Sequence, residues 1–343
     1  MPKQKMLITG GAGFIGANAA HYFLQKGYDV RIFDNLSRAG SRKNLAWLQQ
    51  EHKKGLEIIE GEVRYDQKKL DDAVKDVSFV LHLAAQVAVT TSVVDPREDF
   101  EINALGTLNV LEAVRLHGNN PIFMYSSTNK VYGGLEDVGI KETKTRYEFT
   151  KLQQGVSEDR CLDFHSPYGC SKGTADQYVR DYHRIYGLNT IVFRQSCIYG
   201  PHQFGVEDQG WVAWFIIALT KHKPITIYGN GKQVRDLLYV DDLIEAYDLA
   251  AQNIQKTKGQ IYNIGGGPKN TISVWYEFVP ILEKLFGQKI QAAFAAERPG
   301  DQPIFIADIR KAARDFGWQP KMNVQKGITA LHHWITTHPE LFD

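Results

Sequence analysis

The stretch LITGGAGFIG, residues 7–16, places Gly10, Gly13 and Gly16 between an apolar run and an amphipathic segment. The run KMLIT has the composition of a buried strand, and the pattern from Phe14 to Lys26 predicts a helix. In this order, the glycines let the backbone approach a pyrophosphate at the helix N-terminus. The sequence therefore predicts a dinucleotide-binding fold.

The next predicted strand, DVRIFD, ends in an acidic residue, Asp34, about 20 residues after the glycine loop. A carboxylate there can accept hydrogen bonds from the adenosine ribose, and it repels a 2′-phosphate. Arg38 and Arg42 lie close enough to weaken that preference. The predicted cofactor is NAD rather than NADP.

Strands and helices alternate through the first half of the chain, which predicts an α/β fold with a doubly wound parallel sheet. The stretch 99–118 has a helical apolar period, and the polar stretch from Leu135 to Ser166 suggests an excursion over the surface near a site. We assign residues 1–200 to an NAD-binding Rossmann domain, to which 236–262 return. Residues 201–343 are assigned mainly to a smaller substrate-binding lobe.

The stretch HSPYGCSKGTADQY, residues 165–178, holds Tyr168 and Lys172 four positions apart. Ser166 is a candidate N-cap, with Pro167 at the first helical position, so the phenol and the amine should share one helix face. A surface pair would look the same in sequence. In a functional pair, the Lys172 ammonium would favour the phenolate form of Tyr168, which can take a proton.

The acid–base interpretation of this pair makes an energetic demand. Lowering a tyrosine pKa by about three units needs roughly 4 kcal/mol of extra stabilisation of the phenolate. Lys172 and an oxidised nicotinamide, both positive, could supply it, and Thr128 ends a preceding strand with a hydroxyl. Gly169 and Gly173 weaken the helix by roughly 1 kcal/mol each, which makes sense if something packs closely there.

The bulk composition excludes several classes of function. A net charge of +1 gives no indication of nucleic-acid or anionic-membrane binding. The sequence has no run of about 18 apolar residues and no apolar leader, and Cys161, Cys170 and Cys197 have no metal-binding spacing. We expect a cytoplasmic protein without a metal site.

Seven motifs together make the chain similar to the extended short-chain dehydrogenases/reductases, the class of nucleotide-sugar epimerases and dehydratases. The motifs are TGGAGFIG, HLAAQ, NALGTLNVLEA, YSSTNKVYG, YGCSK, GNGKQVRDLLYVDD and RPGD. Within that class, QVAVTTS, LDFHSPYGCSKG and DQGWVAWF make it resemble the CDP-paratose 2-epimerase (CDP-tyvelose 2-epimerase) group most closely.

The resemblance implies a set of site residues by position. The catalytic residues would be Thr128, Tyr168 and Lys172, with Tyr168 as acid and base. The cofactor-binding residues would be Gly10, Gly13, Phe14, Ile15, Asp34, Asn35, Ser37, Arg38, Glu62, Val63, Leu83, Ala84 and Gln86, together with Tyr168 and Lys172. The substrate-binding residues would be Thr128, Cys197, Gln209, Arg235, Arg298 and Asp301.

Two departures from the wider family narrow the expected chemistry. Cys197 replaces an asparagine that usually contacts substrate, which agrees with the 2-epimerase group. Asn129 and Lys130 stand where related dehydratases carry an Asp and a Glu, so elimination of water is not expected.

The resemblance therefore implies an NAD-dependent epimerase that inverts C2 of a CDP-hexose through a transient 2-ketone. Two alternatives remain open: a C4-epimerase or an epimerase of relaxed specificity, and a catalytically silent NAD-binding regulator. A homodimer is expected from the resemblance, through helices around Glu101–His117 and Tyr168–Tyr186.

Overall fold

A computed structural model describes residues 4–117, 120–298 and 300–342. Strands of two to seven residues recur along this part of the chain. They are β1 Lys5–Thr9, β2 Asp29–Asp34, β3 Leu56–Glu60, β4 Phe79–His82, β5 Ile122–Thr128, β6 Ile140–Glu142, β7 Tyr147–Phe149, β8 Asn189–Gln195, β9 Cys197–Tyr199, β10 Thr226–Tyr228, β11 Val234–Tyr239, β12 Gln260–Ile264, β13 Thr271–Ser273, β14 Ala293–Ala295 and β15 Ile304–Phe305.

The helices alternate with these strands, as the sequence predicts for the first half. They are α1 Phe14–Gln25, α2 Ser41–Glu51, α3 Gln67–Ala73, α4 Val89–Val94, α5 Pro96–Phe100, α6 Gly106–His117, α7 Ser166–Tyr186, α8 Trp211–Thr220, α9 Val240–Gln252, α10 Ile254–Thr257, α11 Phe278–Phe286, α12 Arg310–Phe316 and α13 Val324–Thr337. A 3₁₀ turn, Asn129–Tyr132, follows β5 directly.

Seven of the described strands form one parallel sheet in the order β12-β8-β5-β4-β1-β2-β3. The order reverses between β1 and β4. Strand β1 pairs in parallel with β2 on one side, where Thr9 lies opposite Phe33, and with β4 on the other, where Thr9 lies opposite His82. In an open sheet of this kind, ligands bind beyond the carboxyl ends of the strands at such a reversal. The predicted α/β doubly wound fold is confirmed.

Helices cover both faces of this sheet, and each face has its own apolar core. Helices α1, α2, α9 and α12 pack on one face around residues such as Phe23 and Tyr247. Helices α3, α6 and α7 pack on the other face around residues such as Val110 and Val179. Because both faces are buried, β1 has an apolar run, Met6–Ile8, at its centre. Strand β2 combines apolar with charged residues, and it buries Arg31 and Asp34 as well as its apolar side chains.

A third core gathers elements from the second half of the chain. It includes Ile216 of α8, Leu237 of β11, Phe278 of α11 and Leu331 of α13. Strand β11 also pairs with β9, β13 and β15 in a separate four-stranded sheet. The polar excursion after Leu135 contains the antiparallel hairpin β6–β7, and Val156 bridges to Ala307.

The predicted helix over 99–118 differs from the structure in one place. A π-helical turn, Glu101–Leu105, separates α5 from α6. Within it, the buried Asn103 amide donates to the Gln86 carbonyl at 3.1 Å and to Ser171 Oγ at 3.0 Å. This side chain ties the turn to α7, a requirement that apolar periodicity does not contain; Gly118 lies outside the described residues.

Two features that the sequence analysis considered, the cysteines and membrane-spanning helices, can be compared with the described residues. Cys161, Cys170 and Cys197 are all free thiols. Across residues 4–117, 120–298 and 300–342, every helix is too short or too polar to cross a membrane. The expected cytoplasmic location stays a prediction.

Candidate active site

The glycine loop turns sharply between β1 and α1, and the turn depends on glycine at position 10. Gly10 has φ of +69°, and a Cβ there would lie 2.7 Å from the backbone nitrogen of Ala84. Gly13 precedes α1 and provides no side-chain cap, so the first-turn amides of the helix face a cavity that Gly13, Phe14 and Ile15 line. An uncapped helix N-terminus of this kind suits a phosphate group.

A network of polar side chains borders the same cavity beyond β2. Asp34 accepts hydrogen bonds from the amides of Ala12 at 2.9 Å and Leu36 at 2.8 Å. Asn35 accepts a hydrogen bond from the Ser37 hydroxyl at 2.8 Å and donates to Glu62 at 2.6 Å. Burial raises the pKa of Asp34, while its two amide donors act in the opposite direction.

This first cavity has a volume of about 400 Å³ and lies over the reversal between β1 and β4. It brings together nearly all the residues predicted to bind the cofactor. They are Gly10, Gly13, Phe14, Ile15, Asp34, Asn35, Ser37, Arg38, Glu62, Val63, Leu83, Ala84, Tyr168 and Lys172. The glycine turn, the helix N-terminus and the Asp34 carboxylate fit a dinucleotide in this cavity.

Gln86, which is also predicted to bind the cofactor, does not line either of the two cavities described for this site. Its amide nitrogen donates to the Ala88 carbonyl and to Asp99, both at 2.8 Å. Its amide oxygen accepts from the Ala88 backbone nitrogen. Both N–H donors of the side chain are thus engaged by the protein, and they help to hold the loop after β4.

Tyr168 and Lys172 lie on one face of α7, and both are buried, with exposed fractions of 9% and 3%. They line the first cavity together with Thr128 at the end of β5, and the nearby Thr128 hydroxyl acts to lower the pKa of the Tyr168 phenol. The Lys172 amino group lies 4.3 Å from the centre of the Tyr125 ring. This burial is inconsistent with a surface pair.

Burial dominates the proton affinities of this pair in the protein alone. It raises the pKa of Tyr168 to about 12, against the hydrogen bond from Thr128. It also lowers the pKa of Lys172 to about 7, although Asp99 and Asp176 favour the ammonium. In the protein without its cofactor, these two pKa values favour the neutral phenol over the phenolate.

The contacts around the first turns of α7 explain where this helix begins and why it contains Gly169 and Gly173. The helix begins at Ser166, so His165 rather than the predicted Ser166 lies at the N-cap, and His165 makes no side-chain capping bond. The Ser166 hydroxyl still accepts a hydrogen bond from the Gly169 amide at 3.2 Å, and Gly187 ends the helix in the left-handed conformation. A Cβ on Gly169 would lie 3.2 Å from the Lys130 carbonyl oxygen, and one on Gly173 would overlap the Phe164 ring. The close packing expected from these glycines is thus with the protein itself.

A second cavity of about 450 Å³ adjoins the first and shares Thr128, Tyr168, Cys197 and Gln209 with it. Three predicted substrate residues, Arg235, Arg298 and Asp301, line it. Arg235 Nη2 lies 2.6 Å from Asp301 Oδ1, and Arg298 Nη2 lies 2.8 Å from Asp208 Oδ1. Arg298 also stacks over the Tyr228 ring, with 3.9 Å to its centre.

The segment DQGWVAWF divides between the site and the core. Trp211 lines both cavities and donates to Cys197 Sγ at 3.4 Å, and Gln209 accepts from Arg38 at 3.4 Å. Trp214 lines neither cavity and packs with the core of the second lobe. The contact between Arg38 and Gln209 joins the two predicted groups of ligand-binding residues.

Sequence reasoning missed several residues that line the site. Lys130 lines both cavities, and Tyr228 and Gln233 line the second. The YSSTNKVYG motif contains Lys130 and is the sequence signal that places this side chain next to Thr128. Tyr228 precedes the GNGKQVRDLLYVDD motif that placed Arg235, so proximity to that motif could have identified it.

Comparison with known proteins gives one matching family over most of the chain. The family model described as GDP-mannose 4,6 dehydratase matches residues 7–331. CDP-paratose 2-epimerase of Salmonella typhi is 45% identical over 342 residues, which cover 97% of this chain and 100% of that protein. A putative UDP-glucose 4-epimerase of Methanocaldococcus jannaschii is 33% identical over 96% of this chain and 98% of its own.

Solved structures resemble the fold along its whole length. UDP-glucuronic acid 4-epimerase of Bacillus cereus, in complex with UDP-glucuronic acid and NAD, superposes with a TM-score of 0.84 at 28% identity, covering 97% of this chain and 99% of that one. A dTDP-glucose 4,6-dehydratase of Streptomyces venezuelae with NAD bound gives a TM-score of 0.85 at 26% identity, with 99% of both chains covered.

Proposed function

Because the chain belongs to the GDP-mannose 4,6-dehydratase family of extended short-chain dehydrogenases/reductases, we propose that it is an NAD-dependent epimerase that inverts C2 of a CDP-hexose. The observation that carries the proposal is the position of Thr128 and Tyr168 between two adjoining cavities. The first fits a dinucleotide, and the second, which Arg235 and Arg298 line, fits the diphosphate of a nucleotide sugar.

The residues of the chain divide the work of such a reaction. Tyr168 takes the proton of the C2 hydroxyl and later returns it to the same oxygen. Thr128 hydrogen-bonds that oxygen and the phenol, and Lys172 holds the ribose and favours the phenolate. The Gly10 loop and Asp34 would hold NAD, and the bound cofactor would accept the C2 hydride and return it, so no net oxidation would occur.

Inversion requires the transient 2-ketone to present its opposite face to the same hydride donor. Arg235 and Arg298 would keep the diphosphate bound while the sugar turns, since guanidinium groups bind phosphate oxygens in pairs. The carboxylates Asp301 and Asp208 hold these arginines in place until a ligand arrives.

The contacts of the residues after Thr128 favour redox chemistry without dehydration. Asn129 donates through its amide to Gln302 Oε1 at 2.9 Å, and Lys130 follows it. An amide cannot supply the proton that expels a C6 hydroxyl. The site therefore supports reversible oxidation of an alcohol rather than elimination.

Product analysis by NMR in deuterated water tests the proposal. Purified protein would be incubated separately with CDP-, UDP- and GDP-hexoses, including CDP-paratose and CDP-tyvelose. We expect inversion at C2 of a CDP-sugar without deuterium at C2, because the hydride is returned directly. Deuterium at C2 would indicate enolisation, inversion at C4 would support the C4-epimerase alternative, and bound NAD without any conversion would support the silent regulator.

We also propose that the protein is a homodimer formed through α6 and α7. The two helices pack side by side, with the Tyr182 hydroxyl donating to Glu112 at 2.6 Å. Their outer faces expose Leu116, Tyr178 and Ile185, at 64%, 46% and 65%. Apolar side chains grouped in this way are typical of an interface.

A further inference from the structure

The Lys130 side chain occupies an unusual position for a lysine. It is only 18% exposed, and it lines both cavities together with Thr128 and Tyr168. Its amino group lies 3.3 Å from the Gly300 carbonyl oxygen and 3.6 Å from Asp301 Oδ1. A buried ammonium at this junction calls for an anionic partner, because burial disfavours its charge.

The backbone of Lys130 is fixed relative to the reacting groups. Its amide donates to the Thr128 hydroxyl oxygen at 3.2 Å, within the 3₁₀ turn that follows β5. Its carbonyl packs against Gly169, the neighbour of Tyr168 on α7, where a Cβ would approach to 3.2 Å. Lys130 is therefore the cation whose backbone contacts both the catalytic threonine and the start of the tyrosine helix.

The charges around Asp301 are unbalanced. Its Oδ1 atom contacts both Lys130 Nζ at 3.6 Å and Arg235 Nη2 at 2.6 Å, so two cations share one carboxylate. Arg298 is paired separately with Asp208. Burial lowers the pKa of Lys130, and Asp301 opposes that effect while Arg235 adds to it. An additional anion between Lys130 and Arg235 would remove the imbalance.

We propose that Lys130 binds the β-phosphate of the nucleotide sugar, and that this contact places C2 rather than C4 at Tyr168. Only C1 and the anomeric oxygen separate C2 from the β-phosphorus, whereas the path from C4 also passes through C3 and C2. An enzyme that oxidises C2 must hold the β-phosphate closer to its catalytic tyrosine than one that oxidises C4. Lys130, two residues after Thr128, supplies a cation in that position.

This inference rests on the proposed function, and it makes Lys130 a determinant of which carbon reacts. A merely structural role is the competing explanation, in which Lys130 only ties the Gly300 loop through Asp301. The two explanations predict different effects on nucleotide affinity. Loss of a β-phosphate contact would weaken the binding of CDP and leave the binding of CMP unaffected. A general loosening of the loop would weaken both nucleotides alike.

The test compares Lys130→Met with Lys130→Arg, and with Lys141→Met on the exposed strand β6 as a control. Calorimetric titration of the NAD-loaded proteins with CDP and with CMP measures the β-phosphate contact. We expect Lys130→Met to bind CDP about tenfold more weakly, with CMP changed less than about twofold. Lys130→Arg should restore most of the difference, and Lys141→Met should match the wild type.

Products of the same variants, analysed by NMR with a CDP-hexose, measure the choice of carbon. We expect the ratio of C2 to C4 inversion to fall in Lys130→Met and to be largely kept in Lys130→Arg. Equal weakening of CDP and CMP, or no weakening of either, would overturn the phosphate contact. An unchanged ratio of C2 to C4 inversion would overturn the claim that Lys130 determines which carbon reacts. Wild-type inversion at C4 would contradict the proposed function instead, while the two titrations would still decide the phosphate contact.

Discussion

Asp176 and Arg194 form a bidentate ion pair beneath the active site, with both nitrogen–oxygen distances at 2.9 Å. The two side chains are 0% and 2% exposed. Asp176 lies on α7 one turn after Lys172, and Arg194 lies on β8. The Ser127 hydroxyl, beside Thr128, also donates to Asp176 at 2.7 Å. This pair therefore connects α7 to β8, and the Ser127 hydrogen bond connects α7 to β5, the strand that ends in Thr128.

Arg194→Met should lower the free energy of unfolding by about 3–5 kcal/mol, because it leaves the Asp176 carboxylate buried without its partner. Urea denaturation would measure the loss. Arg184→Met, at an exposed position on α7, is the matched control and should stay within about 0.5 kcal/mol. Similar stability of the two variants would show that the pair does not secure α7.

Tyr168→Phe should lower kcat by about 10²–10⁴-fold while NAD remains bound, because the variant lacks only the hydroxyl that moves the proton. Turnover would be followed by NMR and bound NAD by its absorbance after denaturation. Tyr178→Phe, on the same helix but 46% exposed, should keep nearly full activity. Normal turnover by Tyr168→Phe would refute the acid–base role.

The stability of nucleotide-free protein should rise with pH above 7 through Lys172. Its pKa is lowered to about 7 by burial, from 10.5, so between these values the unfolded chain binds more protons than the folded one. Stability then increases with pH by at most about 1.4 kcal/mol per unit. Urea denaturation between pH 7 and 10 should show this slope in the wild type relative to Lys172→Met. Parallel curves would indicate that the folded lysine keeps its ordinary pKa.

Gly173→Ala should destabilise the protein although alanine favours helix by about 1 kcal/mol. The added Cβ would overlap the buried side of the Phe164 ring, and overpacking of this kind costs about 1–3 kcal/mol. Thermal and urea denaturation would measure the change, with Thr174→Ala on the same helix as control. Adding Phe164→Leu should recover part of the loss, and a Gly173→Ala variant as stable as the wild type would exclude the overlap.

The double variant Leu116→Asp/Ile185→Asp should convert a dimer to a monomer, because it places charges on the apolar faces of α6 and α7. Sedimentation velocity would give the mass. Phe294→Asp, also exposed at 54% but on β14, should leave the dimer intact. A monomeric wild type, or a double variant of unchanged mass, would contradict the proposed interface.

Sequence patterns predicted the glycine loop, the first strands of the sheet and the Tyr168 helix, because short stretches of sequence determine these features. The first strands of the sheet could be predicted from the Gly10–Gly16 spacing, the apolar runs and Asp34. This was possible because β1 and β2 are buried on both faces. The pairing of Tyr168 with Lys172 followed from helical periodicity alone. The π-helical turn at Glu101–Leu105 was not predictable, since it depends on Asn103 reaching Ser171 on another helix.

The site was less predictable wherever a residue's role depends on what folds against it. Gln86 matched a family position, yet its amide is used by Asp99 and Ala88. The high pKa of Tyr168 reflects burial, which no spacing of residues specifies. The surroundings of Lys130 depend on Asp301, which is distant in sequence but lies 3.6 Å from its amino group.

The seventh strand of the main sheet has a consequence for biosynthesis. Strand β12, at residues 260–264, covers the edge of β8, which would otherwise present unpaired backbone groups. More than three quarters of the chain must therefore leave the ribosome before β12 can pair with β8 and complete the seven-stranded sheet. Until then, nascent β8 is a surface to which other extended chains can add, and we expect chaperones to be most needed in that interval.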